Sequence, residues 1–247
     1  MRSMREVRVY SDQPLSADTT LQLGDTAARH VSQVLRMKPG QTLTLFDGSG
    51  GEYPATIASV ARATVEVTTG ALQTTDRESP LAITLWHGLC RAERMDTVVQ
   101  KATELGVARI QPMLTERSVI KLDERRAAKK TLHWQNIAIS ACEQCGRNIV
   151  PEVLPPARFA ALLTAGHKTD SALLLHPAAE RSLAQSLDNG RSVLLCTGPE
   201  GGFSPAEVDA AQAAGFITVT LGPRVLRTET APLAALSVIQ TLAGDLG

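Results

Sequence analysis

The sequence predicts an α/β protein in two parts, a small N-terminal β-barrel followed by a larger unit built on a parallel sheet with helices on both faces. Three observations carry this. Short β-branched, alternating segments separated by turn residues fill the first 70 or so residues. From residue 81 onward, near-continuous apolar strands alternate with amphipathic helices, the pattern of strands buried on both faces. The composition of the 247 residues, 43% hydrophobic and 20% charged, is that of an ordinary globular core, and with aromatics at 3% that core must be filled by Leu, Val, Ile and Ala.

Residues 7–10 form a short alternating strand. Residues 25–37 read as a helix, with Ala28, Val31, Val34 and Leu35 on one face. Strands follow at 41–46, 53–60 and 64–69, the first two joined through Asp47-Gly48-Ser49-Gly50-Gly51, a hairpin signal. Evenly spaced short strands suggest a small barrel over 1–72. The polar stretch 73–80 reads as a linker to a second domain at 81–247. There, 81–86 is an apolar strand, and 94–105 a helix with Met95, Val98, Val99, Ala102 and Leu105 inward and Gly106 at its C-terminal stop. Residues 107–114 are strand, and 123–145 a long helix ended by Gly146. Further strands lie at 172–175, 193–196 and 217–221, with helices between and after them, the last apolar over 233–242.

Several function classes are disfavoured. No stretch approaches the roughly 18 apolar residues of a membrane span, and the N-terminus lacks an apolar signal core, so a cytoplasmic protein with no membrane association is expected. A net charge of +0 leaves a local basic patch open. The densest is Arg117, Lys121, Arg125, Arg126, Lys129 and Lys130, readable as a solvated helix face or as phosphate contacts. Cys142 and Cys145 make a CxxC at the end of a helix, where the dipole opposes a thiolate. Cys90 and Cys196 are isolated, so neither a metal site nor redox chemistry is expected.

The stretch LLCTGPEGGFSPAE, 194–207, runs from a strand through glycines into a helix. It lacks both the GxGxxG pattern and the lysine of a phosphate loop, and Glu200 would repel a phosphate. Ser204-Pro205-Ala206-Glu207 is a capping box that occupies donors a phosphate would need. The loop is either a plain turn or a seat for a flat, uncharged group that approaches the backbone. A second loop after 217–221 combines Gly222-Pro223 with Arg224 and Arg227, and both loops fall at the C-terminal ends of strands, where open sheets bind ligands.

The stretches TGPEGGFS, LGPRVLRTETAPLAAL, QKATELGVARIQPMLTERS and EQCGRNIVPEV resemble the ribosomal RNA small subunit methyltransferase E family, of the SPOUT or α/β-knot class. RHVSQVLRMKPGQTLTLFDGSGGEY is similar to that family's PUA-like RNA-binding barrel, so the resemblance spans nearly the whole chain. It implies a trefoil knot at the end of the parallel sheet, a homodimer, and methylation of N3 of one uridine in 16S ribosomal RNA within the assembled small ribosomal subunit. It implies S-adenosylmethionine in a cleft formed by Thr197, Gly198, Pro199, Glu200, Gly201, Gly202, Leu221, Gly222, Pro223, Val225, Leu226 and Thr228. A valine at Gly201 is expected to block that cleft and to strain the loop. Pro232 stands where the family usually has alanine, which fits only the first turn of a helix beginning near Thr230. Cys145 stands where relatives often carry serine.

Uridine N3 keeps its proton at neutral pH, so the chemistry needs a group that stabilises the uracil anion. Arg227 is the first candidate for this, with an ion pair to Glu229 or Glu200 as its structural alternative. Glu143 and Arg147 are candidates for positioning the base, Glu143 also for accepting the proton. Arg8, His30, Arg36, Lys38 and Asn148 are candidates for RNA contact. The competing readings are an RNA-binding module without turnover and a nucleotide-binding α/β enzyme.

Overall fold

The computed structural model describes residues 7–62, 64–118 and 123–247, so Lys121 of the basic stretch and the first six residues lie outside the described residues. The chain divides into two compact units, one comprising residues up to 78 together with 142–150, the other residues 79–141 and 151–247.

The first unit carries β1 (Arg8–Tyr10), β2 (Thr20–Gln22), α1 (Asp25–Arg29), β3 (Thr42–Phe46), β4 (Tyr53–Ala61) and β5 (Thr64–Thr69). The strands form one sheet in the order β1-β3-β4-β5-β2, with β1 parallel to β3 and every other pairing antiparallel. Alternation along β3, β4 and β5 sends Leu43, Leu45, Ala55, Ile57, Val65 and Val67 into a core with Val9, Leu23, Ala28 and Val31. The helix expected over 25–37 is α-helical only to Arg29. His30–Val34 winds as a wider π turn, in which the Leu35 N–H reaches the His30 carbonyl at 2.9 Å. The wider turn keeps Val31 in the core and releases Val34 to solvent, 68% exposed. Residues 73–78, read from sequence as linker, are hydrogen-bonded into this unit. Gln73 pairs with Glu52 through both backbone groups, and Arg77 donates to the Glu52 carboxylate at 3.0 Å. The polarity that suggests a linker comes here from side chains with internal partners.

The second unit is built on a seven-stranded, all-parallel sheet. Its elements are β6 (Ala82–Gly88), α2 (Ala92–Glu104), β7 (Arg109–Leu114), α3 (Glu124–Cys145), β8 (Glu152–Val153), β9 (Ala157–Arg158), α4 (Phe159–Ala165), β10 (Ser171–Leu175), α5 (Leu183–Ser186), β11 (Ser192–Thr197), α6 (Pro205–Ala213), β12 (Ile217–Val219) and α7 (Thr230–Ala243). The last turn of α3 belongs to the first unit. The strand order is β12-β10-β11-β6-β7-β8, with β9 also on β7. One face of the sheet packs Trp86, Leu174, Leu194 and Cys196 against Phe159, Phe203, Ala211 and Phe216 of the α4 and α6 side. On α2, Met95, Val98, Val99 and Ala102 are buried, as are Ala235, Leu236 and Ile239 of α7, which packs on α2 and β11. The strand expected to reach 221 stops at Val219, because Thr220 turns aside to bridge Ser182. Among the described residues no helix is long and apolar enough to cross a membrane.

Candidate functional site

The C-terminal ends of β6, β10, β11 and β12 gather the loops of the second unit into one pocket of about 520 Å³. The first wall is the loop from Thr197 to Phe203. It lies tight on the end of β6, where a Cβ at Gly88 would overlap Pro199 and stand 2.8 Å from the Gly198 carbonyl carbon. Gly202 supplies the left-handed turn, with φ 66°. Gly201 has no such conformation. A side chain there would meet the Arg117 Cβ at 3.0 Å and its carbonyl at 3.2 Å, so the strain expected at 201 belongs to 202, and the obstacle at 201 is Arg117. The Arg117 guanidinium in turn donates to the Gly201 carbonyl at 3.2 Å.

The helix after this loop is closed to anions. Ser204 Oγ accepts from the Glu207 N–H at 3.3 Å, and Glu207 Oε2 from the Ser204 N–H at 2.9 Å. The other oxygen of Glu207 accepts from the Glu116 N–H at 2.8 Å. Glu200 faces the start of α2, whose own N-cap position, Arg91, offers no capping side chain. Glu200 Oε1 accepts from the Arg91 N–H at 3.2 Å and from Arg94 Nη1 at 3.1 Å, so the loop supplies the carboxylate that a helix N-terminus favours. Burial alone would raise the Glu200 pKa, but the backbone hydrogen bonds and the two arginines outweigh it and hold the carboxyl low.

The second wall is the stretch from Val219 to Thr228. Thr228 is buried and its hydroxyl donates to the Gly198 carbonyl at 3.1 Å, which latches the two loops together. Of the residues expected here, Leu221, Val225, Leu226 and Thr228 line the pocket; Gly222 and Pro223 do not, since their exposed turn is folded on Thr220 Oγ1. Arg227 lines the pocket and is exposed. Among the described residues its side chain has no ion-pair partner, and the pairing weighed for it with Glu200 or Glu229 is made by Arg94. Its carbonyl accepts from the Thr230 and Ala231 N–H groups at 2.9 Å and so starts α7, with the buried Pro232 in the first turn. Residues not singled out in the sequence also line the pocket: Leu175 at the end of β10, His176 and Pro177 after it, and Arg94 and Phe203. A strand ending in His-Pro beside two glycine loops was a usable signal for the first three. Arg94 had none, since it reads as one more charge on a solvated helix face.

Beneath the first loop His87 is fully buried, with Nδ1 2.7 Å from Thr197 Oγ1 and Nε2 3.6 Å from Cys90 Sγ. Burial pushes its pKa down to about 4, against the opposing charge of Glu200, so the ring is neutral. Burial also pushes the thiols of Cys90 and Cys142 up to about 12.

Arg8, His30, Arg36, Lys38, Glu143, Arg147 and Asn148 lie in the first unit. The Glu78 carboxylate accepts from Arg147 Nε at 2.8 Å and Nη2 at 2.6 Å, and from the Asn148 and Ile149 N–H groups at 3.2 and 3.1 Å. Arg8 reaches Glu52, Asn148 Oδ1 at 2.6 Å and the face of Phe46. Arg8, Arg147 and Asn148 are therefore held inside the unit, fixing the turn after α3, although Arg8 Nε is buried without a hydrogen-bond partner among the described residues. Burial pushes Glu52 up, but hydrogen bonds from Arg8, Arg77 and Thr75 bring it down to about 2. Glu143 accepts from the Tyr10 N–H at 3.0 Å. Its pKa is raised by burial, which this hydrogen bond, His30 and Arg8 only partly offset. His30 is half-buried; Arg36, with φ 53°, and Lys38 are exposed around the π turn. In the basic stretch Arg125, Arg126 and Lys129 are exposed, and Lys130 lies 5.5 Å over the Trp134 ring.

The family model of an RNA methyltransferase domain matches residues 77–240, and that of an RNA methyltransferase PUA domain matches residues 23–69. The chain is 33% identical over 239 residues to the ribosomal RNA small subunit methyltransferase E of Buchnera aphidicola from Schizaphis graminum, covering 97% of each chain. It is 33% identical to the Bacillus subtilis protein of the same name, covering 94% of this chain and 96% of that one. Among solved structures, a Legionella pneumophila protein with the cofactor S-adenosylmethionine bound matches at TM-score 0.95 and 43% identity, over 98% of this chain and all of that one. A ribosomal RNA small subunit methyltransferase E from Neisseria gonorrhoeae bound to S-adenosylmethionine matches at TM-score 0.92 and 41% identity, with the same coverage.

Proposed function

The chain belongs to the ribosomal RNA small subunit methyltransferase E family, and on that premise we propose that it methylates N3 of a uridine in 16S ribosomal RNA, using S-adenosylmethionine, in the cytoplasm. The observation that carries the reading is the pocket between two latched loops at the C-terminal edge of a parallel sheet, with the nearby helix N-terminus already capped. That arrangement suits a cofactor held by backbone groups and apolar contact better than one held by phosphates.

The pocket fits S-adenosylmethionine. Its volume of about 520 Å³ lies in the range of small-molecule sites, roughly 300–1,000 Å³. Leu175, Val219, Leu221 and Leu226 offer apolar walls for the adenine. The backbone of Gly198, Gly201 and Gly202 is open to close approach, and Thr197 and Thr228 border the same space. When bound, the cofactor supplies an electrophilic methyl group. The chain's own task is to present a uracil that has lost its N3 proton. Arg227 is suited to this because it lies on the pocket wall with its charge uncommitted, so its guanidinium is free to hold the anion that forms. A base must leave its pairing to reach such a site.

His30, Arg36 and Lys38, around the π turn, are the RNA-contacting cations of this reading, with Arg117, Arg125, Arg126 and Lys129 as further phosphate contacts. Glu143, whose pKa burial raises, is read as positioning the target base, with acceptance of the N3 proton as its second role. Arg147, Asn148 and Arg8 hold the turn that follows it. The PUA-like unit is read as a closed barrel that docks the assembled small subunit. The chain after β12 is read as threaded into a trefoil knot; the Thr228 latch and the packing of α7 on α2 and β11 support this. The active form is read as a homodimer.

The test is single-turnover methyl transfer to small subunits lacking the native modification, at saturating cofactor and across pH. Wild type is expected to methylate N3 with a rate that rises toward alkaline pH, as the N3 proton becomes easier to remove. Arg227→Ala should lower the rate about 10²- to 10³-fold with little change in cofactor affinity, and Arg227→Lys should recover only part of it. No transfer by wild type would end the reading. Normal turnover by Arg227→Ala with weakened cofactor binding would make Arg227 a cofactor ligand.

A further inference from the structure

We propose that Arg94 is a positioning residue, a clasp on α2 that holds both walls of the pocket through two carboxylates, Glu200 on the first loop and Glu229 at the end of the second. The inference rests on the reading of this pocket as the S-adenosylmethionine site.

The two contacts differ in a way that points to ligand-coupled closure. Arg94 Nη1 lies 3.1 Å from Glu200 Oε1, a formed charge-assisted hydrogen bond. Arg94 Nε lies 3.6 Å from Glu229 Oε2, beyond hydrogen-bonding distance. That oxygen is buried and accepts no hydrogen bond among the described residues. A buried carboxylate oxygen without a donor is costly, and the nearest cation is one short movement away. Closing the gap to a normal charged hydrogen bond of about 2.8 Å needs the second loop to shift by less than roughly an ångström toward α2.

The post itself is fixed. Arg94 sits in the first turn of α2, whose Met95, Val98 and Val99 are fully buried. The carboxylates, in contrast, belong to the loops. Glu200 lies within the loop that ends in Phe203, and Glu229 follows Thr228 directly, so its position sets that of Arg227 and of the wall from Val225 to Thr228. The three side chains are 30%, 30% and 22% exposed, shielded enough for the charges to matter and open enough for them to move. The Thr228 hydroxyl already ties the loops to each other, and Arg94 ties the first loop to α2 and stands within reach of the second. A ligand seated between the walls completes the second contact, and the second contact retains the ligand. Arginine suits this because its fork serves two acceptors at once, where a lysine would serve one.

The experiment measures S-adenosylmethionine affinity by calorimetry, together with melting temperature and the single-turnover rate at saturating cofactor. Wild type is compared with Arg94→Ala, Arg94→Lys, Glu229→Gln and the Arg94→Ala/Glu229→Gln pair. Arg94→Ala is expected to weaken binding about ten- to hundredfold, and Arg94→Lys to recover part of that loss. Glu229→Gln should weaken binding several-fold. The double variant should bind no worse than Arg94→Ala alone, because both changes remove one interaction. The rate at saturation should fall by less than the affinity, because saturating cofactor restores part of the closed arrangement that places Arg227. Affinity of a folded Arg94→Ala within twofold of wild type overturns the clasp, as does full additivity in the double variant. If Arg94→Ala fails to fold, the isosteric Glu229→Gln decides, and unchanged affinity there overturns the clasp as well. A wild type that binds no S-adenosylmethionine overturns the reading of the pocket and the clasp with it.

Discussion

His87 shows how one buried side chain ties the pocket to pH. Its ring has no exposure and its nitrogens face only Thr197 and Cys90. Burial lowers its pKa to about 4, from 6.5 in an exposed chain. The unfolded chain therefore binds a proton between those values that the folded chain refuses. His87 contributes its full stability above pH 6.5 and loses it as pH falls toward 4, in all roughly 3 kcal/mol. Urea unfolding across this window should show wild type losing more stability than His87→Asn, whose amide has no proton to gain. Parallel losses in the two proteins would remove His87 as the cause. Nothing in the sequence singles out this histidine, because a strand residue reveals its burial only when the strands on either side are known. Arg227 was legible from its place in a glycine loop at a strand end. That its charge is uncommitted was not, since the carboxylates nearby could have been its partners.

At the level of elements, local signals carried well. The capping box at Ser204 and Glu207 starts α6 where Pro205 predicts it, and the apolar period of α2 is its buried face. The failures also have causes. The helix over 25–37 widens after Arg29, because the choice between an α turn and a π turn is made by what the core accepts. The N-terminus of α2 has no cap of its own, and its carboxylate comes from Glu200. The same loop depends on Gly88, which lines no part of the pocket. Gly88→Ala would drive a methyl into Pro199 and should displace the loop at a cost of about 1–3 kcal/mol, weakening cofactor binding at least tenfold. Gly202→Ala meets open space and only the left-handed strain, about 1–2 kcal/mol. Melting curves with calorimetry rank the two, and an unimpaired Gly88→Ala would show that the loop yields at no cost.

For the molecule as a whole, the proposed homodimer has a direct test. Val225, Leu242 and Leu246 of the second unit are apolar side chains 80%, 54% and 53% exposed, and Leu242, on the last helix, is the one we assign to a face between two copies. Light scattering at micromolar concentration should give a dimer for wild type and a shift toward monomer for Leu242→Glu. An exposed substitution of this kind should change the fold's stability by less than about 0.5 kcal/mol. A fully active wild-type monomer would refute the dimer. The sequence alone determined the fold class and the place of the pocket. A parallel sheet follows from apolar strands alternating with amphipathic helices, and ligand loops follow from glycines at strand ends; these are properties of neighbouring residues. Tertiary structure decided the membership of the units, since residues 142–150 join the first unit although the sequence around them belongs to the second. It also decided which charges are free. Arg94 meets Glu200 across 106 positions, and Arg147 meets Glu78 across 69. Pairings over such distances depend on how the chain is brought back on itself, and no periodicity or spacing records that.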